Sequence, residues 1–247
     1  MKTFGLIGYP LDHSFSRGHF SEKFKNENID AQYLNFSIPT IEECVNIWNT
    51  NDSIAGLNVT IPYKETIIPF LDELSEEAAE IGAVNVIKII KKGDKKVLRG
   101  YNSDVIGFRE SLAPLLKSFH TNALVLGSGG ASKAVTYALR KLNISYKIVS
   151  RTPKGDNQIS YDDITSEMFA SHKVIINTSP LGMFPNIDKA PALPYSEVTS
   201  NHLFYDLVYN PEETLFLKKG KEKGATIKNG IDMLHLQAKG AWEIWNK

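Results

Sequence analysis

The chain has 247 residues, long enough for one large domain or two modest ones, with a core that needs no disulfide or structural metal. Hydrophobic residues make up 42% and charged residues 23%, which excludes wholesale disorder. The 28 basic residues offset the 28 acidic ones, so the charge excludes a dedicated nucleic-acid or anionic-membrane binder.

The single cysteine, Cys44, cannot form an internal disulfide, and no His cluster stands near it at metal-ligand spacing. A reducing compartment and no metal are expected. The apolar start, Phe4-Gly5-Leu6-Ile7-Gly8, is too short for a signal-peptide core, and no uncharged run approaches a bilayer span. A cytoplasmic protein with a small-molecule ligand, no nucleic acid and no membrane is the expectation. Monomer and homodimer both remain open.

Residues 4–9 predict a strand and 16–28 a helix. A strand follows at 32–37, then a helix at 40–50 opened by a capping box of Thr40 and Glu43. Residues 54–60 predict a strand stopped by Pro62. Short helices are expected at 67–71 and 76–81, the second capped by Ser75. Residues 84–90 and 97–100 predict a hairpin around a charged turn at 91–96.

The second part alternates more regularly. Residues 105–117 predict a helix, 122–126 a strand, 132–142 a helix and 146–150 a strand. Further apolar runs fall at 174–178, 203–207 and 226–228, and residues 233–245 predict an amphipathic helix. Such alternation implies an α/β fold with right-handed βαβ units on parallel strands.

The strand at 122–126 leads into Gly127-Ser128-Gly129-Gly130-Ala131-Ser132, and a helix follows. This is the context of a dinucleotide loop. Gly127 permits the turn, Gly129 the approach of a pyrophosphate, and the helix presents free N–H groups. The third glycine position is Ser132, a departure from the plain pattern. The next strand ends Val149-Ser150-Arg151-Thr152 with no carboxylate for a ribose hydroxyl. Arg151 can pair with a 2′-phosphate and Ser150 and Thr152 can donate to it, which favours NADP over NAD.

Polar clusters mark the first part. Ser14 and Ser16 flank a helix start, either as ordinary N-caps or as a carboxylate-binding pair. Asn58 and Thr60 share a strand face, and Lys64 follows at the strand exit. Asn85 enters a strand, and Asp104 opens the helix leading into the second part.

Together these motifs resemble the shikimate dehydrogenase family. The resemblance runs in order through Tyr9-Pro10, His13-Ser14-Phe15-Ser16, Asn58-Val59-Thr60-Ile61-Pro62-Tyr63-Lys64, Gly82-Ala83-Val84-Asn85 and Asn102-Ser103-Asp104. It continues through the glycine loop, Asn177-Thr178-Ser179-Pro180-Leu181-Gly182-Met183, Tyr205-Asp206-Leu207-Val208-Tyr209-Asn210-Pro211, Gly230, Met233-Leu234 and Gln237-Ala238.

The resemblance implies reversible, NADP-dependent reduction of 3-dehydroshikimate to shikimate, a step toward chorismate and the aromatic amino acids. It implies an N-terminal α/β substrate-binding domain, residues 1–103 plus 231–247, and a Rossmann-like NADP-binding domain, residues 104–230. Ser14, Ser16 and Tyr209 would hold the substrate carboxylate, and Thr60, Asn85, Asp104 and Gln237 its hydroxyls. Lys64, paired with Asp104, would be the acid/base, either as proton donor or as an orienting charge. Gly127, Ser128, Gly129, Gly130 and Ala131 would cradle the pyrophosphate, and Ser150, Arg151 and Thr152 the adenosine phosphate. Glu76, Leu207 and Gly230 would lie on the cofactor side. Three departures stand out: Ser150 where the family usually carries Asn, a short tail after Gln237, and Lys154 after Pro153 as a second basic residue near the cofactor site. The alternatives are a quinate or shikimate dehydrogenase using NAD, and a non-catalytic sensor of nucleotide or shikimate-like ligands.

Overall fold

The computed structural model describes every residue except Asp12, His13 and Asp94. His13 of the motif above, and one residue of the expected charged turn, therefore lie outside the described residues. The chain divides into two compact units, Met1–Ser103 with Ala238–Lys247, and Asp104–Gln237.

The first unit is built on strands β1 (Lys2–Gly8), β2 (Ala31–Ser37), β3 (Ile54–Val59), β4 (Glu73–Leu74), β5 (Val86–Lys92) and β6 (Lys95–Tyr101), with helices α1 (Phe15–Asn26), α2 (Cys44–Asn49) and α3 (Glu76–Ile81). The sheet order is β2-β1-β3-β5-β6-β4. β1 runs parallel to β2 and β3, while β5 runs antiparallel to β3 and β6. Alternation sends successive side chains to opposite faces. One face buries Ile7, Leu57 and Ile87 with Cys44, Ile47 and Trp48. The other buries Phe4, Leu6, Tyr33 and Val86 with Phe20 and Phe24 of α1.

Several local expectations shift. The segment at 40–50 opens with a 3-10 turn, Ile41–Glu43, before α2 begins. Glu43 Oε1 accepts the Thr40 backbone N–H at 3.2 Å and its hydroxyl at 3.1 Å. At 67–71 a single 3-10 turn forms, Ile68–Phe70, because Pro69 has no N–H to continue a helix. The hairpin strands extend into the expected turn, pairing Lys91 with Lys96 and Lys92 with Lys95. Gly93, at φ +63°, supplies the left-handed step. β4 was not anticipated, being only two residues long.

The second unit contains α4 (Asp104–Leu112), β7 (Asn122–Leu126), α5 (Gly130–Lys141), β8 (Ser145–Val149), β9 (Gln158–Ile159), α6 (Ser166–Ser171), β10 (Val174–Asn177), β11 (Leu203–Asp206), α7 (Leu215–Lys221) and β12 (Thr226–Lys228). α4 stops five residues before the expected end, where Pro114 converts the chain to a 3-10 turn, Ala113–Leu115. The sheet is parallel throughout, in the order β12-β11-β10-β7-β8-β9. β10 and β11 are buried at every position, as a sheet covered on both faces requires. Read from β7, this is the 3-2-1-4-5-6 order of a Rossmann-like sheet.

The last helix, α8 (Ile231–Asn246), belongs to both units. The boundary expected at Gly230 falls instead after Gln237. Gly107 of α4 explains it. A Cβ there would collide with the Met233 carbonyl and reach within 3.1 Å of Gln237, so the first turns of α8 lie against α4. No helix among the described residues is long and apolar enough to cross a membrane.

Candidate active-site residues and family

In the first unit, the N-terminus of α1 carries Ser14 and Ser16. Ser14 is the N-cap, and its Oγ accepts the Arg17 N–H at 3.2 Å. Accepting leaves the Ser14 proton available to an anion. Ser16 is the second residue of α1. Thr60 follows the last residue of β3, its N–H donating to the Ile7 carbonyl at 2.8 Å. Lys64 follows a tight turn in which the Tyr63 N–H donates to Thr60 O at 2.9 Å. The Lys64 carbonyl accepts the Val84 N–H at 2.7 Å, which anchors this turn to the entry of β5.

Asn85 is 2% exposed and bound on both ends of its amide. Its Oδ1 accepts the Ser103 N–H at 2.7 Å, and its Nδ2 donates to Ser103 Oγ at 3.1 Å. Asn58 Nδ2 donates to the Asn85 carbonyl at 3.2 Å, and Tyr33 donates to Asn58 Oδ1 at 2.8 Å. The structure thus gathers Tyr33, Asn58 and Asn85 into one hydrogen-bonded series. Sequence reading gave Tyr33 and Asn58 no role. Asn58 stands out only for sharing a strand face with Thr60, and the bond between it and Tyr33 spans 25 residues, so no local pattern marks Tyr33. Glu76 lies in this unit too, exposed in the first turn of α3 behind the Ser75 cap, not on the sheet that carries the glycine loop.

In the second unit, the expected cofactor residues all follow the carboxyl ends of parallel strands, where Rossmann-like sheets hold nucleotides. Gly127 leaves β7 at φ +113°, and a Cβ there would meet Thr178 Oγ1 at 2.9 Å. Thr178 follows β10 and donates through Oγ1 to Leu126 O at 2.9 Å. β7 and β10 flank the point where strand order reverses. Gly129 is the N-cap of α5 and faces open space, with nothing within 4 Å of a Cβ placed on it. The Ser132 N–H closes on Gly129 O at 3.0 Å, and the N–H groups ahead of it in the first turn of α5 stand at the positive end of the helix dipole without helical partners. This cradle fits a pyrophosphate. Ser132, in the third glycine position, is 2% exposed and donates its hydroxyl to Gly129 O at 2.6 Å. The departure from glycine therefore braces the loop from within.

After β8, Ser150 accepts the Thr152 N–H at 3.3 Å and donates to Thr152 O at 3.2 Å, with Ser128 Oγ at 3.3 Å. Arg151 and Thr152 are exposed beyond it. The Arg151 charge lowers the Tyr161 phenol while burial raises it further, a net upward shift. After β11 come Leu207 and the exposed Tyr209. Gly230, after β12, packs its Cα against the Leu207 carbonyl, where any side chain would collide. Asp104 opens α4, 3% exposed, and Gln237 lies on α8 where it passes Gly107.

One buried carboxylate holds the loops that follow β10 and β11. Asp206 accepts Asn177 Nδ2 at 2.9 Å, the Val208 N–H at 3.0 Å and the Thr214 hydroxyl at 2.6 Å. Burial raises its pKa to about 6, and those three donors limit the rise. Asn177 in turn accepts the Ser179 N–H at 3.1 Å. Among the described residues, no group of His, Cys, Asp and Glu is placed to hold a metal.

Residues 6–87 match the family model of the shikimate dehydrogenase substrate-binding domain. A shikimate dehydrogenase (NADP(+)) of Methanosphaera stadtmanae is 38% identical over 98% of this chain and 90% of its own length. The chain belongs to the shikimate dehydrogenase family. Shikimate 5-dehydrogenase of Thermus thermophilus, solved with NADP(H) and shikimate, superposes at a TM-score of 0.86 with 29% identity, covering 99% of this chain and 93% of that one. A quinate dehydrogenase of Corynebacterium glutamicum, solved with NAD, superposes equally well at 25% identity, over 99% of this chain and 93% of its own. The α/β architecture of this shikimate dehydrogenase family member, with an N-terminal unit of the substrate-binding type and a Rossmann-like unit, agrees with those structures.

Proposed function

We propose that the protein catalyses the reversible NADP-dependent reduction of 3-dehydroshikimate to shikimate, on the way to chorismate and the aromatic amino acids. The observation that carries this reading is the match to an NADP(+) shikimate dehydrogenase along nearly the whole chain. On this reading, residues 1–103 with the end of α8 recognise the substrate, and the Rossmann-like unit holds the cofactor.

When bound, NADPH supplies a hydride to the carbonyl carbon. The protein's part is to hold the ketone and to deliver a proton to its oxygen. Lys64 carries that proton: its ammonium polarises the carbonyl, donates as the alcohol forms, and is reprotonated from water. Asp104 is its partner carboxylate and orients the ammonium. Ser14 and Ser16 bind the substrate carboxylate at the start of α1, where the dipole favours an anion, with Tyr209 assisting. Thr60, Asn85, Asp104 and Gln237 hold ring hydroxyls. Gly127 to Ala131 cradle the pyrophosphate, Arg151 pairs with the 2′-phosphate beside Ser150 and Thr152, and Glu76, Leu207 and Gly230 line the cofactor side.

The test is nicotinamide absorbance with shikimate or quinate, and with NADP or NAD. Turnover is expected with shikimate and NADP, and Lys64→Ala should lower kcat by roughly 10²–10⁴-fold. Turnover chiefly with quinate and NAD would overturn the substrate and cofactor assignment. Binding of NADP without turnover of any pair would overturn the enzyme itself in favour of a sensor.

A further inference from the structure

The Asn177-Thr178-Ser179 segment leaves β10 and takes no part in the proposed reaction. It is fixed from the β11 side. Asn177 Nδ2 donates to Asp206 Oδ1 at 2.9 Å, and the Asn177 carbonyl accepts the Leu207 N–H at 2.9 Å. Thr178 reaches the other way, to the exit of β7. Its N–H and its Oγ1 each donate to Leu126 O at 2.9 Å, and Oγ1 has Gly127 O at 3.3 Å as a second acceptor for the same proton.

The Leu126 carbonyl already has the Thr178 N–H, so the hydroxyl is not needed to satisfy it. Valine would fill the same space and suits a strand end equally well. The turn that the hydroxyl touches has little stiffness of its own. Gly127, Gly129 and Gly130 surround Ser128, and glycine has the widest backbone freedom of any residue. Gly127, at φ +113°, is held on both sides. Its N–H donates to Val149 O of β8 at 2.8 Å, and its carbonyl faces Thr178. In a planar trans peptide the C=O and the N–H point opposite ways, so the Ser128 N–H is turned away from β10.

We propose that Thr178 is a positioning residue for the nucleotide loop: its hydroxyl holds the Leu126 and Gly127 carbonyls toward β10 and so fixes the glycine turn in the form that receives a pyrophosphate. The inference rests on the reading of Gly127 to Ala131 as the pyrophosphate cradle. A turn ordered before the cofactor arrives loses less freedom when it binds, which tightens binding. The acceptors of the hydroxyl are backbone carbonyls, whereas a pyrophosphate is drawn to the N–H groups at the start of α5. Cofactor and hydroxyl therefore engage different groups.

The experiment compares Thr178→Val, Thr178→Ser and Gly129→Ala by calorimetric titration with NADP, by amide hydrogen exchange at Gly127 in the cofactor-free protein, and by steady-state kinetics. Thr178→Val is expected to weaken NADP about 5–10-fold and to speed Gly127 exchange severalfold, with the shikimate KM at saturating NADP within about twofold. Thr178→Ser keeps the hydroxyl and should stay within about twofold of the parent in every readout. Unchanged NADP affinity in Thr178→Val, while Gly129→Ala weakens it, would overturn the proposal alone. Unchanged affinity in both would overturn the cradle reading and the proposal with it. Weaker NADP with Gly127 exchange unchanged would mean that the hydroxyl touches the cofactor itself, and the positioning role would fall. An equal loss in Thr178→Ser would assign the effect to packing of the methyl group and overturn the proposal as well. Should the Val variant not fold, Thr178→Ala carries the same readouts, with the same expected and overturning results.

Discussion

Ser150 and Arg151 divide the work of the turn after β8. The Ser150 hydroxyl both accepts from and donates to Thr152, so it shapes the turn. Arg151 is exposed just beyond and can meet a phosphate with two parallel N–H bonds. A missing Asn at position 150 therefore leaves in place the charge proposed to select NADP. Arg151→Ala should weaken NADP roughly 10–100-fold by calorimetric titration and leave NAD almost unaffected. Equal losses for both nucleotides would place the selectivity elsewhere. Ser132 shows the same economy at residue scale, since its hydroxyl closes onto Gly129 O where the plain pattern has no side chain.

At the scale of elements, glycines act in two different ways. Gly107 permits the backbone of α8 to lie against α4, and a methyl group there would collide with the Met233 carbonyl. Backbone cannot swing aside as a side chain can, so Gly107→Ala should cost about 1–3 kcal/mol and lower the melting temperature. Gly129 faces open space. Gly129→Ala should melt like the parent yet bind NADP less tightly, because the methyl group occupies the approach to the α5 N–H groups. Unchanged NADP affinity in that variant would mean that the cradle does not take the pyrophosphate.

At the scale of the whole molecule, buried titratable groups of the second unit set opposing pH dependences. The folded pKa of Asp206, about 6, stands above its ordinary value of 3.8 because burial disfavours the charge. Its contribution to stability is therefore fullest at low pH and is lost as pH rises toward and through about 6, roughly 3 kcal/mol in all. His120 and His202 work the other way. Burial lowers both below the ordinary 6.5, and nearby Lys117 and Lys173 add to the effect at His120. The Lys117 N–H donates to His120 Nδ1 at 3.0 Å, and the Thr199 N–H to His202 Nδ1 at 3.1 Å, so both rings are held neutral. Their stabilisation is present above pH 6.5 and is lost as pH falls below it. Urea denaturation between pH 4 and 8 should show Asp206→Asn flattening the loss toward neutral pH. His202→Gln should flatten the loss on the acid side. A parent profile unchanged by either variant would refute the assignment.

Much of this was legible in the sequence because the signals are local. The strand at 122–126 and the strand at 226–228 fall where the apolar runs place them, and Ser75 caps α3 by accepting from Ala78 N–H at 3.1 Å. The glycine loop is local too, since tight turn, N-cap and helix dipole all arise within six residues. What escaped is short or distant. β4 and β9 are two residues each and exist only because a neighbouring strand accepts them. Pro114 ended α4 early, a local signal outweighed by the apolar periodicity around it. The sequence by itself determined the alternating α/β class and the glycine-rich turn between β7 and α5, because periodicity, capping and turn chemistry act between near neighbours. Only the tertiary structure decided that α8 first packs on α4, that Asp206 anchors two loops, and that Tyr33 holds Asn58 against the Asn85 carbonyl. Those facts depend on which strands lie side by side and on how closely backbones approach, and both are settled by packing across long stretches of chain.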